Sequence, residues 1–488
     1  MTVLHWFRDD LRLSDNPALT HASQQGATAY VYIIEPDQPL GGAASVWLHH
    51  SLAALNHQLD GNLLLYKGKP EEILPDLMTR LGADLLTLTR RYHSSGVKTD
   101  SRLAAVLETQ HKQAAVISGN LLWEPEEISK QDGTPYKVFT PFFRRGCLNA
   151  APPRTPLPAP ELRHAVVSDS TALPLTALEL HDGADWQTAI TESWNISEEG
   201  GQERLQAFIQ ADHTDGINDY ADGRNFPAKT NVSRLSPYLR FGQVSAHQAW
   251  YRAGQNRQAD DRQLDIFRSE LGWREFSYSL LHFNPEMKTQ PLQPRFAGFG
   301  WAENEEHLHA WQRGQTGYPI VDAAMRELYQ TGYMHNRVRM IVGSFLVKNL
   351  LLHWHHGEAW FWDCLFDADR ANNSAGWQWI AGCGADAAPY FRVFNPVTQG
   401  QKFDANGNYT RKYVPELRDM PNKYLFNPWD APADTLARAR VRLGSTYPKP
   451  IVNVKASRQR ALDAFAQMPK APTDKASLNQ ANIHEQSL

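Results

Sequence analysis

Cysteine is scarce in this chain: three in 488 residues, Cys147, Cys364 and Cys383, an odd number with no CxxC pair. That excludes a disulfide framework and a zinc module, and it fits a reducing compartment. Charge of one sign is not in excess either. Lys and Arg total 49 against 53 Asp and Glu, for a net charge of −4. A globally basic nucleic-acid binder is excluded, so any DNA contact needs a local patch. Long apolar runs are missing. The most apolar helical stretch, Met340 to Trp354, is interrupted by Lys348 and is too short to span a bilayer. The first residues, MTVLHWFRDDLRLSDN, lack the apolar run of a signal peptide. A soluble, cytoplasmic protein without a membrane partner is expected. A glycine-rich GxGxxG turn is also absent: the turn after the first apolar run reads FRDDLRLSDN. The usual dinucleotide site of an α/β domain is therefore excluded there.

What is present is an ordinary globular balance, 42% hydrophobic and 21% charged, which excludes a disordered or fibrous chain. The length suggests two or three domains. In residues 1–150, VLHWF, TAYVYII, NLLLYKG, ADLLTLTR and AAVISGN read as buried strands. Amphipathic patterns near 15–25, 46–59, 70–81 and 97–112 alternate with them. This alternation predicts a Rossmann-like α/β domain with a parallel sheet. APPRTPLPAP at 151–160 holds five prolines and begins a linker running to 202, polar and on the surface. From 203 to 470 the apolar spacing is helical, with MHNRVRMIVGSFLVKNLLLHW among the patterns, and an all-α domain is predicted. The tail 471–488 has no aromatic residue and is expected to be disordered.

Tryptophan is the other abundance: eight of the 15 fall between 273 and 379. In SELGWREF, Glu270 and Trp273 share a helix face. They read either as a carboxylate salt-bridged to Arg274 beside a packed indole, or as a base-recognition pair. In MHNRVRM, Asn336 and Met340 share a face beside Arg337, and an Asn inside a helix usually has a polar partner. In DADRANNSAGWQW, Asp367 and Asp369 have too few further ligands for a metal site. Asn373 and Trp377 can face one partner, while Trp377 and Trp379 point to different sides of a helix. An aromatic core is the plain alternative. YADGRNFPAKTNVSRLSPYLRFG offers hydroxyls and an Arg near a helix start, either an anion cradle or an ordinary cap.

Together these segments, with GADAAPYFRVFNPVTQGQKFD, resemble the photolyase/cryptochrome flavoproteins in order and spacing, from WFRDDLRLSDNPAL at residue 6 to about residue 455. LGWREFSYSLLHFNPE and GGAASVWLHHSL resemble the class III branch of the cyclobutane-pyrimidine-dimer (CPD) photolyases. The resemblance implies an all-α FAD-binding domain and light-driven repair of such dimers in UV-damaged DNA by a monomer without an obligate protein partner. Tyr220, Arg224, Ser233, Leu235 and Ser236 match the flavin phosphate and ribose region, although Val232 stands where the family often has Thr. Arg339 and Asp367 match the charged pair beside the isoalloxazine, Asp369 the carboxylate near its pyrimidine edge, and Asn373 the residue facing N5. Asn lacks the acid that an Asp there supplies, which suits the fully reduced anionic flavin that repair needs. Glu270, Trp273, Asn336, Arg337, Met340 and Trp379 match the pocket for a flipped-out dimer. Glu270, kept protonated by burial, is expected to donate to the dimer as charge develops. Trp377, Trp354 and Trp301 match a three-tryptophan relay that reduces FAD under light.

Arg392, Lys402, Arg411, Lys412, Arg418 and Lys423, with Arg337, are expected to meet phosphates. An antenna chromophore, methenyltetrahydrofolate, is expected between the domains, with Trp47, His49 and His50 as its wall. The alternatives are a cryptochrome-type blue-light photoreceptor and a (6-4) photolyase. The latter is disfavoured, because Asn336 and Met340 stand where its His pair is needed.

Overall fold

The computed structural model of the protein describes residues 2–468, apart from 168, 213, 257, 258 and 391. The expected disorder of 471–488 lies outside the described residues. Five strands, β1 (Thr2–Phe7), β2 (Ala27–Ile34), β3 (Leu63–Lys67), β4 (Ala83–Thr89) and β5 (Gln113–Ile117), form one parallel sheet in the order β3-β2-β1-β4-β5. Helices α1 (Pro17–Gln25), α2 (Gly42–Gln58), α3 (Pro70–Leu81) and α4 (Ser94–Thr109) connect them. The central strand is buried on both faces, which is why VLHWF reads as a continuous apolar run. In register, Leu4 pairs with Ala29 on one side and Leu86 on the other. Two helices start earlier than their apolar spacing shows. The chain enters α2 at Gly42, and the His93 side chain caps α4.

The strand order reverses at β1, where a doubly wound sheet ordinarily binds its ligand. Here the turn after β1 docks the second domain. Arg12, 1% exposed, donates to the carbonyls of Asp15 and Gly119 and, across the junction, to Gly242 O at 2.8 Å. Asp15 accepts from Arg154 and from Ser245, and Glu198 accepts from Leu13 N at 2.7 Å. One buried apolar cluster crosses the same junction, from Phe7 and Trp47 to Tyr238 and Phe241.

The connection read as a polar surface segment differs from that reading. Leu178, Ile190, Trp194 and Ile196 are buried in that cluster, and Leu173 N donates to Leu65 O. The polar residues between them hid this spacing. The helical domain begins at α5 (Glu198–Ile209), followed by α6 (Ala246–Ala253), α7 (Asp261–Phe283), α8 (Pro319–Thr331), α9 (Asn336–Ser344), α10 (Trp354–Cys364), α11 (Arg370–Ala381) and α12 (Val454–Ala466). The stretch from Met334 to Trp354 is not one helix. Helical turns end at Asn349, Leu351 takes a left-handed φ of 57°, and His353 caps α10. Asn336 is correspondingly the first residue of α9, not an interior Asn, so its type carries no helix penalty there.

Candidate functional site

Helices α7, α9 and α11 and the segment 220–240 surround a cavity of about 580 Å³. Fifteen residues singled out from the sequence line it: Tyr220, Arg224, Ser233, Leu235, Ser236, Glu270, Trp273, Asn336, Arg339, Met340, Asp367, Asp369, Asn373, Trp377 and Trp379. Glu270 and Trp273 on α7, and Asn373 and Trp377 on α11, share a side at spacings of three and four, whereas Trp379, two residues past Trp377, borders the cavity from another side of α11. Val232 lines the same wall.

The carboxylates of the DADR segment have separate tasks. Asp367 accepts from Arg339 Nη2 at 2.8 Å. Asp369 is the N-cap of α11, accepting from Asn372 N at 2.7 Å and from the Tyr278 hydroxyl at 2.6 Å. Asn373 donates its amide to Glu358 O at 3.0 Å, which leaves its carbonyl oxygen without that tie. Asp367 Oδ1, Trp377 Nε1 and Arg234 Nε are buried and unpartnered, and all three residues line the cavity. A buried acceptor and two buried donors without partners fit a bound group carrying both kinds of atom. The flavin and phosphates of FAD are such a group.

Several expectations are corrected. Glu270 is not buried: its side chain is 32% exposed and ion-paired with Arg224. The burial on which its expected donor role rests is therefore missing. Arg274 pairs instead with the buried Glu275 at 2.8 Å. Arg224 thereby links residues that the resemblance assigned to two pockets. Trp273 stacks on Phe139 at 3.8 Å, and Asn336 is exposed at the rim. Arg337 does not line the cavity. It donates to Asn225 and lies over Phe403.

Trp377 is 3% exposed and touches α10, where a Cβ on Gly357 would meet its ring at 2.1 Å. Trp354 lies one turn earlier on α10 and is buried, and Trp301 is half-buried. Among the basic residues, Arg411 is not free for phosphate. It donates to the carbonyls of Asn406, Arg418 and Met420 and to Asn422. Arg392, Lys402, Lys412, Arg418 and Lys423 are exposed.

A second cavity of about 330 Å³ lies between the domains, lined by Asp9, Tyr32, Glu35, Arg91, Arg240 and Trp362 among others. The wall expected on α2 is corrected. Trp47 is fully buried and donates to Gln243 Oε1, while His49 and His50 pack against His181. Sequence reasoning missed Arg240 and Tyr278, which border both cavities with Asp369. Arg240 bonds Asp9 at 2.7 Å and Ala368 O at 2.9 Å. No local signal marks them, since their partners lie 91 to 231 residues away.

The chain is similar to known proteins over most of its length. The family description "FAD binding domain of DNA photolyase" matches residues 267–467, and "DNA photolyase" matches 3–161. A deoxyribodipyrimidine photo-lyase of Agrobacterium fabrum is 44% identical over 96% of this chain and 98% of its own length. This chain belongs to the DNA photolyase family. Cryptochrome-1 of Arabidopsis thaliana, in the same family, is 33% identical over 95% of this chain and 70% of its own. The crystal structure of a bacterial class III photolyase from Agrobacterium tumefaciens superposes with a TM-score of 0.92 at 44% identity, covering 95% of this chain and 97% of that one. The parallel five-stranded α/β domain and the helical FAD-binding domain are therefore those of a photolyase. No described helix is long and apolar enough to cross a membrane.

Proposed function

We propose that the protein is a deoxyribodipyrimidine photo-lyase that repairs cyclobutane pyrimidine dimers in DNA with light. The observation that carries this reading is the shared cavity. Residues suited to a flavin (Arg339, Asp367, Asp369, Asn373) and residues suited to two extruded bases (Trp273, Asn336, Met340, Trp379) line one space. Bound FAD supplies, on illumination, one electron that opens the cyclobutane ring and is then returned. The half-buried Trp273 and Trp379 offer faces for stacking bases, and Asn336 and Met340 lie at the mouth they would pass. Glu270 accepts an N–H at the base edge from within its pair with Arg224, while Arg392, Lys402, Lys412 and Lys423 receive the phosphates. Trp377, Trp354 and Trp301 carry electrons inward to restore the reduced cofactor. The folate antenna, methenyltetrahydrofolate, is assigned to the interdomain cavity, and a near-UV spectrum of freshly purified protein tests its presence.

The function is tested by illuminating purified protein with an oligonucleotide carrying a thymine dimer. Recovery of thymine absorbance is expected. Flavin photochemistry without any repair would overturn the reading in favour of a cryptochrome-like photoreceptor.

A further inference from the structure

The start of α10 reads His353-Trp354-His355-His356, and two of its three imidazoles contact the middle indole of the proposed relay. His353 caps the helix, its Nδ1 accepting the backbone N–H of His355 at 3.1 Å. A nitrogen that accepts carries no proton, so this ring is neutral with its proton on Nε2. The same ring stacks 5.6 Å from Trp354 at 27° and lies 5.1 Å from Trp301 at 61°. His355 reaches Trp354 at 3.9 Å and His353 at 4.4 Å. The ring contacts leading from the buried Trp354 to the half-buried Trp301 thus pass through His353.

We infer that His353 is a positioning residue of the relay, an uncharged aromatic bridge that fills the gap between Trp354 and Trp301. This rests on the relay in the reading above. Each transfer moves one electron. Trp377 gives one to the light-excited oxidised flavin, Trp354 refills Trp377, Trp301 refills Trp354, and a soluble thiol refills Trp301, losing its proton to water and becoming a thiyl radical; two such rounds deliver two electrons, and the two thiyl radicals join as one disulfide. His353 neither gains nor loses an electron. It touches each of the two indoles with one ring, and it stays neutral where a positive imidazole would oppose the cation left on an oxidised indole. Burial, with His355 and His356, pushes His353 down to about 4. Burial also lowers His355; a hydrogen bond to the Lys288 backbone raises it in part, and the charges of His356 and Lys288 lower it further. Glu358, one turn on, is turned to Ser374 instead.

The test compares wild type with His353→Phe, His353→Leu and His353→Arg, each purified with FAD, with dark flavin absorbance as the check on folding. Photoreduction by blue light and thiol is expected to persist in His353→Phe and to fall about tenfold in His353→Leu. It should fall further in His353→Arg, whose charge is permanent. Wild-type rates in both His353→Leu and His353→Arg would overturn the inference. Imidazole nitrogen NMR of the dark wild-type enzyme gives a second readout independent of turnover. A neutral ring protonated on Nε2 is expected at pH 7, and a charged one would overturn the inference. Trp354→Phe separates the two levels, since an undiminished rate there removes the relay itself.

Discussion

Glu270 shows how a single side chain takes its character from a partner that its neighbours in sequence do not reveal. Position i+4 offered Arg274, yet the guanidinium that pairs with it comes from Arg224, on the segment before α6. A partly exposed ion pair contributes about 1 kcal/mol, so Glu270→Gln should melt within about 1–2 kcal/mol of wild type. Its expected effect is on chemistry: DNA binding retained, repair yield per absorbed photon lowered several-fold. Quantum-yield measurement on dimer-containing DNA checks this, and an unchanged yield removes Glu270 from the reaction. Trp377→Phe should block photoreduction while repair by chemically reduced enzyme continues, read from flavin absorbance under blue light. Most site residues were legible because their types recur at fixed spacing within short segments. Arg234 was not: it adopts φ 54° between Ser233 and Leu235, with its guanidinium over Trp194 and Tyr333. Nothing in TNVSRLS marks that conformation.

Among elements, the contact of α10 with α11 sets the place of the buried indole. Gly357 is required by a neighbour, not by its own backbone angles. A methyl group there would meet the Trp377 ring at 2.1 Å. Gly357→Ala should destabilise by about 1–3 kcal/mol as the ring or helix shifts, and FAD retention should fall with it. Thermal melting with and without added FAD measures both. The sheet was readable because parallel strands are apolar on both faces. The break before α10 was not, because a leucine rather than a glycine takes the left-handed turn and a histidine supplies the cap. Apolar periodicity runs straight through such a point. The start of α4 was hidden in the same way by its His93 cap.

Over the whole molecule, buried imidazoles tie stability to acidity, three of them clearly. Burial pushes His5 in the sheet down to about 4, and His247 at the domain junction and His335 beneath α9 down to about 3. A folded-state value below the unfolded one means that the unfolded chain binds more protons between the two. Stability is therefore fully present above pH 6.5 and declines as pH falls toward those values. Between pH 6.5 and pH 5 each group costs roughly 2 kcal/mol. Urea denaturation at pH 7 and pH 5 should show a markedly lower midpoint at pH 5, and replacing His247 by Gln should flatten part of that slope.

The guanidinium of Arg12 reaches carbonyls in both halves of the protein. The two halves are for that reason not interchangeable parts. A hybrid that grafts residues 1–150 onto another helical half keeps this cation satisfied only where that half brings a main-chain carbonyl to the place of Gly242 O.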